Sequence, residues 1–356
     1  MRSAKTGRRV WHFQTVHHDI WNYDNPTAPL LLDTRMNGRS VPIVVQTTKQ
    51  GFAYTFNRAD GAPIWPIEER PVPQSKVPGE KTAPTQPFPT RPAAYEMQGL
   101  TVDDLIDYTP ELRRRAERII SQFEIGPLFM PPLHRDNPYG KRAAIHCPGA
   151  NGGTNIPGGT VADPETGILY TASIKACSAP VLLPGTERDP NANMDFVTNG
   201  PGGVGTSATI DGVQGTRECL PLYRPPYGRI TAIDMNTGET LWWIPNGDTP
   251  DNVKNHPLLQ GIDIPVTGKG THATKLITKS LLMYGEGRGG APLFHAVDKR
   301  TGRALATVEL PAPTNAAPMT YLHNGKQYIV VAVGGVRIAC DEAGRHERAG
   351  STKSNA

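Results

Sequence analysis

One short frame recurs along the chain. Residues 232–242 read AIDMNTGETLW and residues 296–306 read AVDKRTGRALA. Residues 55–65 (TFNRADGAPIW) keep the glycine and the tryptophan, residues 4–11 (AKTGRRVW) keep the end of the frame, and residues 162–173 (ADPETGILYTAS) give a looser match. The T-G pair suits a hairpin turn, because glycine adopts positive φ without steric cost. The repeat therefore predicts hairpins in which one strand ends at the aspartate and the next strand buries the tryptophan.

The spacing of the repeat points to a larger unit. Adjacent copies lie 54 residues apart from Gly7 to Gly61 and 64 residues apart from Gly238 to Gly302. This period fits four short strands with their loops, which is the blade of a β-propeller. The 37 Gly and 35 Pro among 356 residues are typical of an all-β protein with many turns. We therefore predict an all-β propeller of about four to five blades over residues 1–340.

Two insertions interrupt the blades and together span residues 63–125. Residues 63–92 contain nine prolines interleaved with Trp, Ile and Phe, which favours an extended segment packed on the propeller over a linker or an SH3-type ligand. Residues 101–123 carry a capping-box pattern, a Thr-Pro helix start and apolar residues at helical spacing, so we predict one inserted helix. Residues 194–220 are predicted to form a long glycine-rich loop, and residues 341–356 a polar tail.

Charge and cysteine content exclude several classes of protein. The net charge is only +4 with scattered basic residues, so nucleic-acid binding is not expected. No apolar run reaches the length of a membrane span, and the basic N-terminus has no apolar segment of a secretory signal behind it. The four cysteines form no C-x-x-C motif, which argues against structural zinc. A disulfide between Cys147 and Cys177 is left open.

The stretch WHFQTVHHDIWNYDNPTAP, residues 11–29, concentrates groups that bind metals or move protons. If residues 15–20 form a strand, His17 and His18 point to opposite faces and cannot hold one metal ion. We predict instead that one histidine, His18, lines a site and that Asp19 fixes its orientation.

This stretch resembles the W-x-(F/Y)-Q-T-x-H-H-D-x-W-D-x-D segment of the PQQ-dependent (quinoprotein) alcohol and glucose dehydrogenases. The repeat frame resembles their tryptophan-docking motif, and CPGANGGTNIPGG resembles their P-G-x-x-G-G-T-N segment. The resemblance extends to about residue 335. It implies an eight-bladed propeller of which this chain carries the C-terminal half. It also implies the cofactors PQQ and Ca²⁺, with the calcium ligands mostly in the other half and no metal ligand assigned here.

The resemblance implies roles for residues near the start of the chain. The family's catalytic base is the aspartate after the tryptophan, and Asn22 stands at that position. An amide cannot take a proton at neutral pH. Asp24, two residues on, is the local candidate for a substitute base. The alternatives are a turn role for Asp24 before Asn25 and Pro26, or loss of the base.

Four further residues match family positions at the quinone. Lys49 matches a lysine beside the quinone oxygens, although a solvated strand lysine is the simpler interpretation. Asn155 matches an asparagine that hydrogen-bonds the quinone, although it could be an ordinary turn residue. Thr154 could contribute its hydroxyl, and Trp21 is expected to form core or pocket wall.

The implied function is an oxidoreductase that oxidises an alcohol or an aldose sugar and passes electrons to a quinone or cytochrome acceptor in the periplasm. Activity would require the other blades, supplied by an N-terminal half-propeller or by a homo-oligomer. The alternative is a truncated, non-catalytic propeller fragment or binding module.

Overall fold

The computed structural model describes residues 1–198, 209–210, 220–334, 338–340 and 346–348. Most of the predicted glycine-rich loop and most of the predicted polar tail therefore lie outside the described residues. The helices are α1 (Pro110–Ile120), α2 (Gly185–Arg188) and α3 (Asp251–Lys254), with 3₁₀ turns at Val102–Asp104 and Pro257–Leu259. The strands are β1 (Leu30–Met36), β2 (Arg39–Thr47), β3 (Ala53–Asn57), β4 (Ile67–Pro71), β5 (Thr85–Pro89), β6 (Leu133–His134), β7 (Thr160–Asp163), β8 (Ile168–Ile174), β9 (Val181–Pro184), β10 (Phe196–Thr198), β11 (Thr209–Ile210), β12 (Leu220–Pro221), β13 (Gly228–Asp234), β14 (Glu239–Pro245), β15 (Thr274–Ile277), β16 (Leu281–Gly285), β17 (Leu293–Asp298), β18 (Ala304–Glu309), β19 (Met319–His323), β20 (Lys326–Val330), β21 (Ile338–Cys340) and β22 (His346–Arg348).

Four antiparallel sheets follow one another as blades. The first blade is the sheet β1-β2-β3, which a single bridge between Phe56 and Pro63 extends on its outer side. The second is the four-stranded sheet β7-β8-β13-β14, and the third is β15-β16-β17-β18. The hairpin β19-β20 begins a fourth. The prediction of an all-β propeller is confirmed.

The tryptophans of the repeat fasten successive blades together. Each ring packs on the turn glycine of the next copy of the frame, so a Cβ there would collide with the ring. These glycines also have positive φ, which a larger residue rarely adopts. The pairs are Trp11 on Gly61, Trp65 on Gly238 and Trp242 on Gly302, where an added Cβ would lie 2.5, 3.1 and 3.0 Å from the ring.

The looser copy at residues 162–173 forms a hairpin, as the repeat predicted, and this hairpin lies within the second blade. Its turn joins β7 to β8, the first two strands of the blade that also holds AIDMNTGETLW. Asn236 of that frame donates to the Thr166 carbonyl at 2.9 Å and accepts from the Arg35 N–H at 2.7 Å. A T-G turn suits any tight hairpin, whereas only the tryptophan distinguishes the docking frame.

The two insertions pack against the blades. In the proline-rich one, β4 pairs antiparallel with β5, and Ile67 and Phe88 pack on the aromatic core of the first blade. Helix α1 begins after Thr109, whose hydroxyl accepts from the Leu112 N–H at 3.1 Å. The predicted capping box at Thr101 belongs to the 3₁₀ turn before it, so the helix is shorter than residues 101–123. Across the described ranges, no helix is both long and apolar enough to cross a membrane.

Candidate functional site

The candidate residues come from loops at one edge of the first two blades. Leu30 at the start of β1 pairs with Val45 near the end of β2, so the loop before β1 and the turn after β2 lie at the same edge. The first strand of the second blade meets this edge, because the hydroxyls of Thr47 and Thr160 are 2.7 Å apart. Residues 11–29, 48–52 and 148–159 therefore converge there.

The loop of residues 19–24 is held by its own aspartate. The Asp19 carboxylate accepts the backbone N–H of Trp21 at 2.9 Å and that of Tyr23 at 2.7 Å. Both aromatic rings are buried, each with only 1% of its surface exposed. Asn22 lies between these two anchors in the left-handed region, with φ of 64°, and is turned outward. Residues 15–20 form no strand, so the condition under which His17 and His18 would point to opposite faces is not met.

Lys49 meets this loop from the turn between β2 and β3. Its ammonium donates to the Asn22 carbonyl oxygen at 2.9 Å, lies 3.4 Å from the Asn22 side-chain oxygen and binds the Asp24 carboxylate. The lysine side chain is only 6% exposed, whereas that of Asp24 is 57% exposed. The buried ammonium therefore points toward the surface and joins two of the sequence-predicted site residues.

The loop carrying Asn155 packs on the same turn. The N–H of Thr154 donates to the Thr48 carbonyl at 3.1 Å. Gly153 has φ of 57°, and an added Cβ would lie 2.0 Å from the Lys49 carbonyl oxygen, so only glycine fits. The Asn155 side chain folds back on its own turn, where its oxygen accepts the N–H of the next residue at 2.8 Å. It lies near Lys49 in the fold without bonding to it.

The Thr154 hydroxyl is fully engaged inside the protein. It lies 2.9 Å from the Tyr95 hydroxyl, 2.7 Å from the Thr171 hydroxyl and 3.0 Å from the Ala172 carbonyl oxygen. Burial raises the pKa of Tyr95 above its ordinary value. Thr154 is thus a node of a buried hydroxyl network behind the loop.

The two adjacent histidines bind different carboxylates. His17 Nε2 lies 3.0 Å from Glu69 Oε1, and His18 Nε2 lies 2.5 Å from Glu80 Oε1. Within the described part of the chain, no group of three or more His, Cys, Asp or Glu side chains is arranged to hold a metal ion.

Asp19 does not orient a histidine, which corrects the sequence-based prediction. Its two oxygens are taken up by the backbone of its own turn. Burial raises the pKa of the Asp19 carboxyl, while the two N–H donors oppose this rise. A carboxylate followed by free N–H groups two and four residues on forms a local turn before it reaches a distant ring.

A cleft of about 760 Å³ opens beside Asn22. One wall is the loop that holds His18 and Asp19, and the others are residues 79–81 and the strands β9 and β10. Its polar lining groups are those of His18, Asp19, Asn22, Glu80, Lys81, Asp195 and Thr198.

The sequence did not single out Gln50, and it left the disulfide between Cys147 and Cys177 open. Gln50 is completely buried, and both of its side-chain amide atoms lack a partner among the described residues. Its only signal was its place directly after Lys49. Cys147 and Cys177 form a disulfide with Cα atoms 4.5 Å apart, and the Pro148 carbonyl beside it accepts the Tyr23 hydroxyl. The disulfide therefore braces the loop that presents Asn22.

Comparison with known proteins identifies the family. The family model described as "PQQ: Glucose/ethanol/alcohol dehydrogenase, beta-propeller domain" matches residues 3–329. The chain belongs to this family. Members of this quinoprotein dehydrogenase family use PQQ.

Curated quinoprotein relatives match over nearly the whole chain. Glycerol dehydrogenase large subunit of Gluconobacter oxydans is 32% identical over 93% of this chain and 46% of its own length. Quinoprotein glucose dehydrogenase A of Acinetobacter calcoaceticus is 30% identical over 94% of this chain and 41% of its own length. Quinate/shikimate dehydrogenase (quinone) of Acinetobacter baylyi is 28% identical over 95% of this chain and 42% of its own length. The chain thus spans less than half the length of these relatives.

Solved structures of quinoprotein dehydrogenases share the fold. Quinohemoprotein alcohol dehydrogenase from Comamonas testosteroni superimposes with a TM-score of 0.52 and 18% identity over 94% of this chain and 38% of that one. A europium-containing methanol dehydrogenase superimposes with a TM-score of 0.51 and 18% identity. The match covers 94% of this chain and 44% of that one. At this identity the likeness supports the propeller architecture alone.

Proposed function

We propose that this chain forms the part of a PQQ-dependent oxidoreductase that holds the quinone-side lysine and the proton acceptor, and that the complete protein oxidises a hydroxyl group of an alcohol or an aldose sugar. One observation carries the proposal. The buried Lys49 ammonium meets Asn22 and Asp24, and both segments lie within residues 3–329, which match the family model.

The residues present fit a quinone cofactor with several oxygen acceptors. Lys49 supplies a desolvated ammonium, and the amide of Gln50, the next residue, has no partner within the described ranges. Asn155 adds a side-chain amide from the neighbouring loop. PQQ, when bound, accepts the hydride from the substrate carbon. An ammonium held beside the quinone oxygens stabilises negative charge that develops there, because it is fixed in place before the reaction.

Asp24 is the proton acceptor in this proposal, since the Asn22 amide cannot take a proton. Lys49 holds the Asp24 carboxylate by an ion pair, while the exposed side of Asp24 remains open to a substrate hydroxyl. His18 lies on the wall of the adjoining cleft, bound to Glu80. In the proposal it contacts the substrate rather than the cofactor.

The remaining blades come from a partner in this proposal. Calcium would be bound mostly by residues outside this chain, and the partner is an N-terminal half-propeller or a second copy of the chain. The hairpin β19-β20 supports such docking, because its apolar side chains are exposed instead of being covered by a neighbouring blade. They include Met319, Tyr321, Leu322, Tyr328, Ile329 and Val330.

The electron acceptor in the proposal is a quinone or a cytochrome, and the compartment is the periplasm. The disulfide between Cys147 and Cys177 favours an oxidising compartment of this kind.

A non-catalytic propeller fragment is the second candidate, and Asn22 at the base position favours it. Reduction of an artificial electron acceptor separates the two. The purified chain, alone and mixed with an N-terminal half-propeller, is supplied with PQQ, CaCl₂ and glucose, glycerol or ethanol. Substrate-dependent dye reduction supports the enzyme. Spectroscopic binding of PQQ without any dye reduction supports the binding module, and neither signal in either mixture rejects the proposed function.

A further inference from the structure

Lys275 is a buried cation that the proposed chemistry does not use. It lies on β15, the first strand of the third blade, and is 2% exposed. No carboxylate lies within ion-pairing distance of it in the described part of the chain. An ammonium without a counter-ion is costly to bury, so an apolar side chain would fill the same space at lower cost if packing alone mattered.

The three N–H donors of Lys275 are all directed at backbone carbonyls. Nζ lies 3.1 Å from the Gly158 oxygen, 2.9 Å from the Gly159 oxygen and 3.0 Å from the Ala273 oxygen. Two of these acceptors belong to the second blade and one to the third. The lysine therefore joins the loop before β7 to the start of β15.

The loop that Lys275 holds is the one that carries Asn155. Its other end is attached to the turn of Lys49, through the Thr154 N–H and the close contact at Gly153. The Gly159 N–H returns to the Asn155 carbonyl at 3.2 Å, so the residues bound by Lys275 close the turn in which Asn155 sits. A short loop fixed at both ends retains little conformational freedom.

We propose that Lys275 is a positioning residue: its ammonium holds the Asn155 loop in the place where that loop meets the turn of Lys49. The effect of Lys275 on PQQ binding rests on the proposed function. Its effect on the position of the loop does not depend on that function. Lys275 touches neither substrate nor cofactor and acts only through Gly158 and Gly159.

A matched control is available in Lys299, which is also buried and joins the same two blades through the Asp163 carboxylate at 2.6 Å. That contact is made by the end of β7 and lies outside the Asn155 loop. Lys299→Met should therefore weaken the blade interface without releasing the loop. Gly158→Ala should disturb the proposed contact through the loop instead of the lysine, because the added Cβ would lie 2.8 Å from the Ala273 oxygen.

Hydrogen exchange followed by mass spectrometry tests the proposal on the full chain without cofactor. In Lys275→Met we expect the peptide covering residues 153–160 to exchange about tenfold faster, with β16 and β17 unchanged. Lys275→Arg, which keeps donors and charge, should restore most of the protection, and Gly158→Ala should reproduce the loss if Lys275→Met does not fold. Equal exchange in wild type and Lys275→Met, or an equal increase in Lys299→Met, would overturn the proposal.

A titration with PQQ gives the second readout. If the wild-type chain binds PQQ, Lys275→Met should bind it about tenfold more weakly, while Lys299→Met should bind as the wild type does. If the wild-type chain binds no PQQ, either alone or mixed with an N-terminal half-propeller, the proposed function fails, and the exchange experiment still decides the role of Lys275. Faster loop exchange combined with unchanged PQQ affinity would refute the positioning of Asn155 for the cofactor.

Discussion

The ammonium of Lys49 lies 2.9 Å from the backbone carbonyl oxygen of Asn22, although 27 residues separate them along the chain. Asn22 can offer that carbonyl because Asp19 caps the turn and the rings on either side are buried. The contact brings together Lys49 and Asn22, the residue that the family resemblance predicts at the position of the base.

Restoring a carboxylate at position 22 should raise turnover if the base is the only defect. For Asn22→Asp we expect an increase of about a hundredfold in dye reduction by the PQQ-loaded, completed protein. Asn25→Asp, which adds the same charge three residues away, is the control. An unchanged rate for Asn22→Asp would mean that Asp24 already serves as the base, or that another group required for catalysis is missing.

Removing the ammonium should weaken cofactor binding. We expect Lys49→Met to raise the dissociation constant for PQQ about tenfold or more, since a charge-assisted hydrogen bond is lost from a desolvated site. Equilibrium titration measures it. Lys76→Met removes a lysine that is 45% exposed and paired with Glu124, and should have no effect on affinity. Equal effects of the two variants would contradict a specific role for Lys49.

The disulfide should contribute measurably to stability. It closes a loop of 30 residues, for which the loss of chain entropy in the unfolded state corresponds to about 3.6 kcal/mol. Urea unfolding of the wild type and of Cys177→Ser should differ by about this amount. Dithiothreitol should lower the midpoint of the wild type and leave the variant unchanged; a variant as stable as the oxidised wild type would refute the expectation.

The buried His146 and the partly buried His272 should make the fold sensitive to acid. Burial lowers the pKa of His146 and that of His272 to about 4. Between pH 6.5 and pH 4 the unfolded chain therefore binds protons that the folded chain does not, so stability falls as pH falls through this window. We expect each histidine to account for roughly 3 kcal/mol across it. Urea unfolding of His146→Gln at several pH values should show a shallower dependence; an unchanged slope would contradict this origin.

The docking of tryptophan on glycine can be separated from backbone strain. Gly302 and Gly325 have nearly equal φ values of 73° and 74°, but only Gly302 faces the Trp242 ring. Both alanine variants should lose about 1 kcal/mol from the positive φ. Gly302→Ala should lose about a further 1 kcal/mol or more, because its Cβ would lie 2.8 Å from the Ile244 methyl and 3.0 Å from the Trp242 ring. Thermal unfolding with equal losses would show that the ring contact adds nothing.

Local sequence patterns predicted much of the fold. The T-G turns and their tryptophans predicted the blade hairpins, because turn chemistry and the burial of a large ring are decided within about ten residues. Thr109 and Pro110 marked the start of α1 for the same reason. The turn motif at residues 162–173 predicted the hairpin of β7 and β8, but a turn motif does not specify where in a blade its two strands lie.

The sequence by itself determined the blade repeat and the helix, and it singled out Asn22, Asp24 and Lys49 as candidates through the family resemblance. Only the tertiary structure decided which groups meet. It tied Asp19 to its own backbone instead of a histidine, and it left the Gln50 amide without a partner in the part of the chain that the structure describes.

The tertiary structure also brought Lys275 to Gly158 across 117 residues of sequence. Such contacts depend on how the loops of neighbouring blades pack at a shared edge. No local pattern records that packing, because the blades are brought side by side by buried rings and strands far away along the chain.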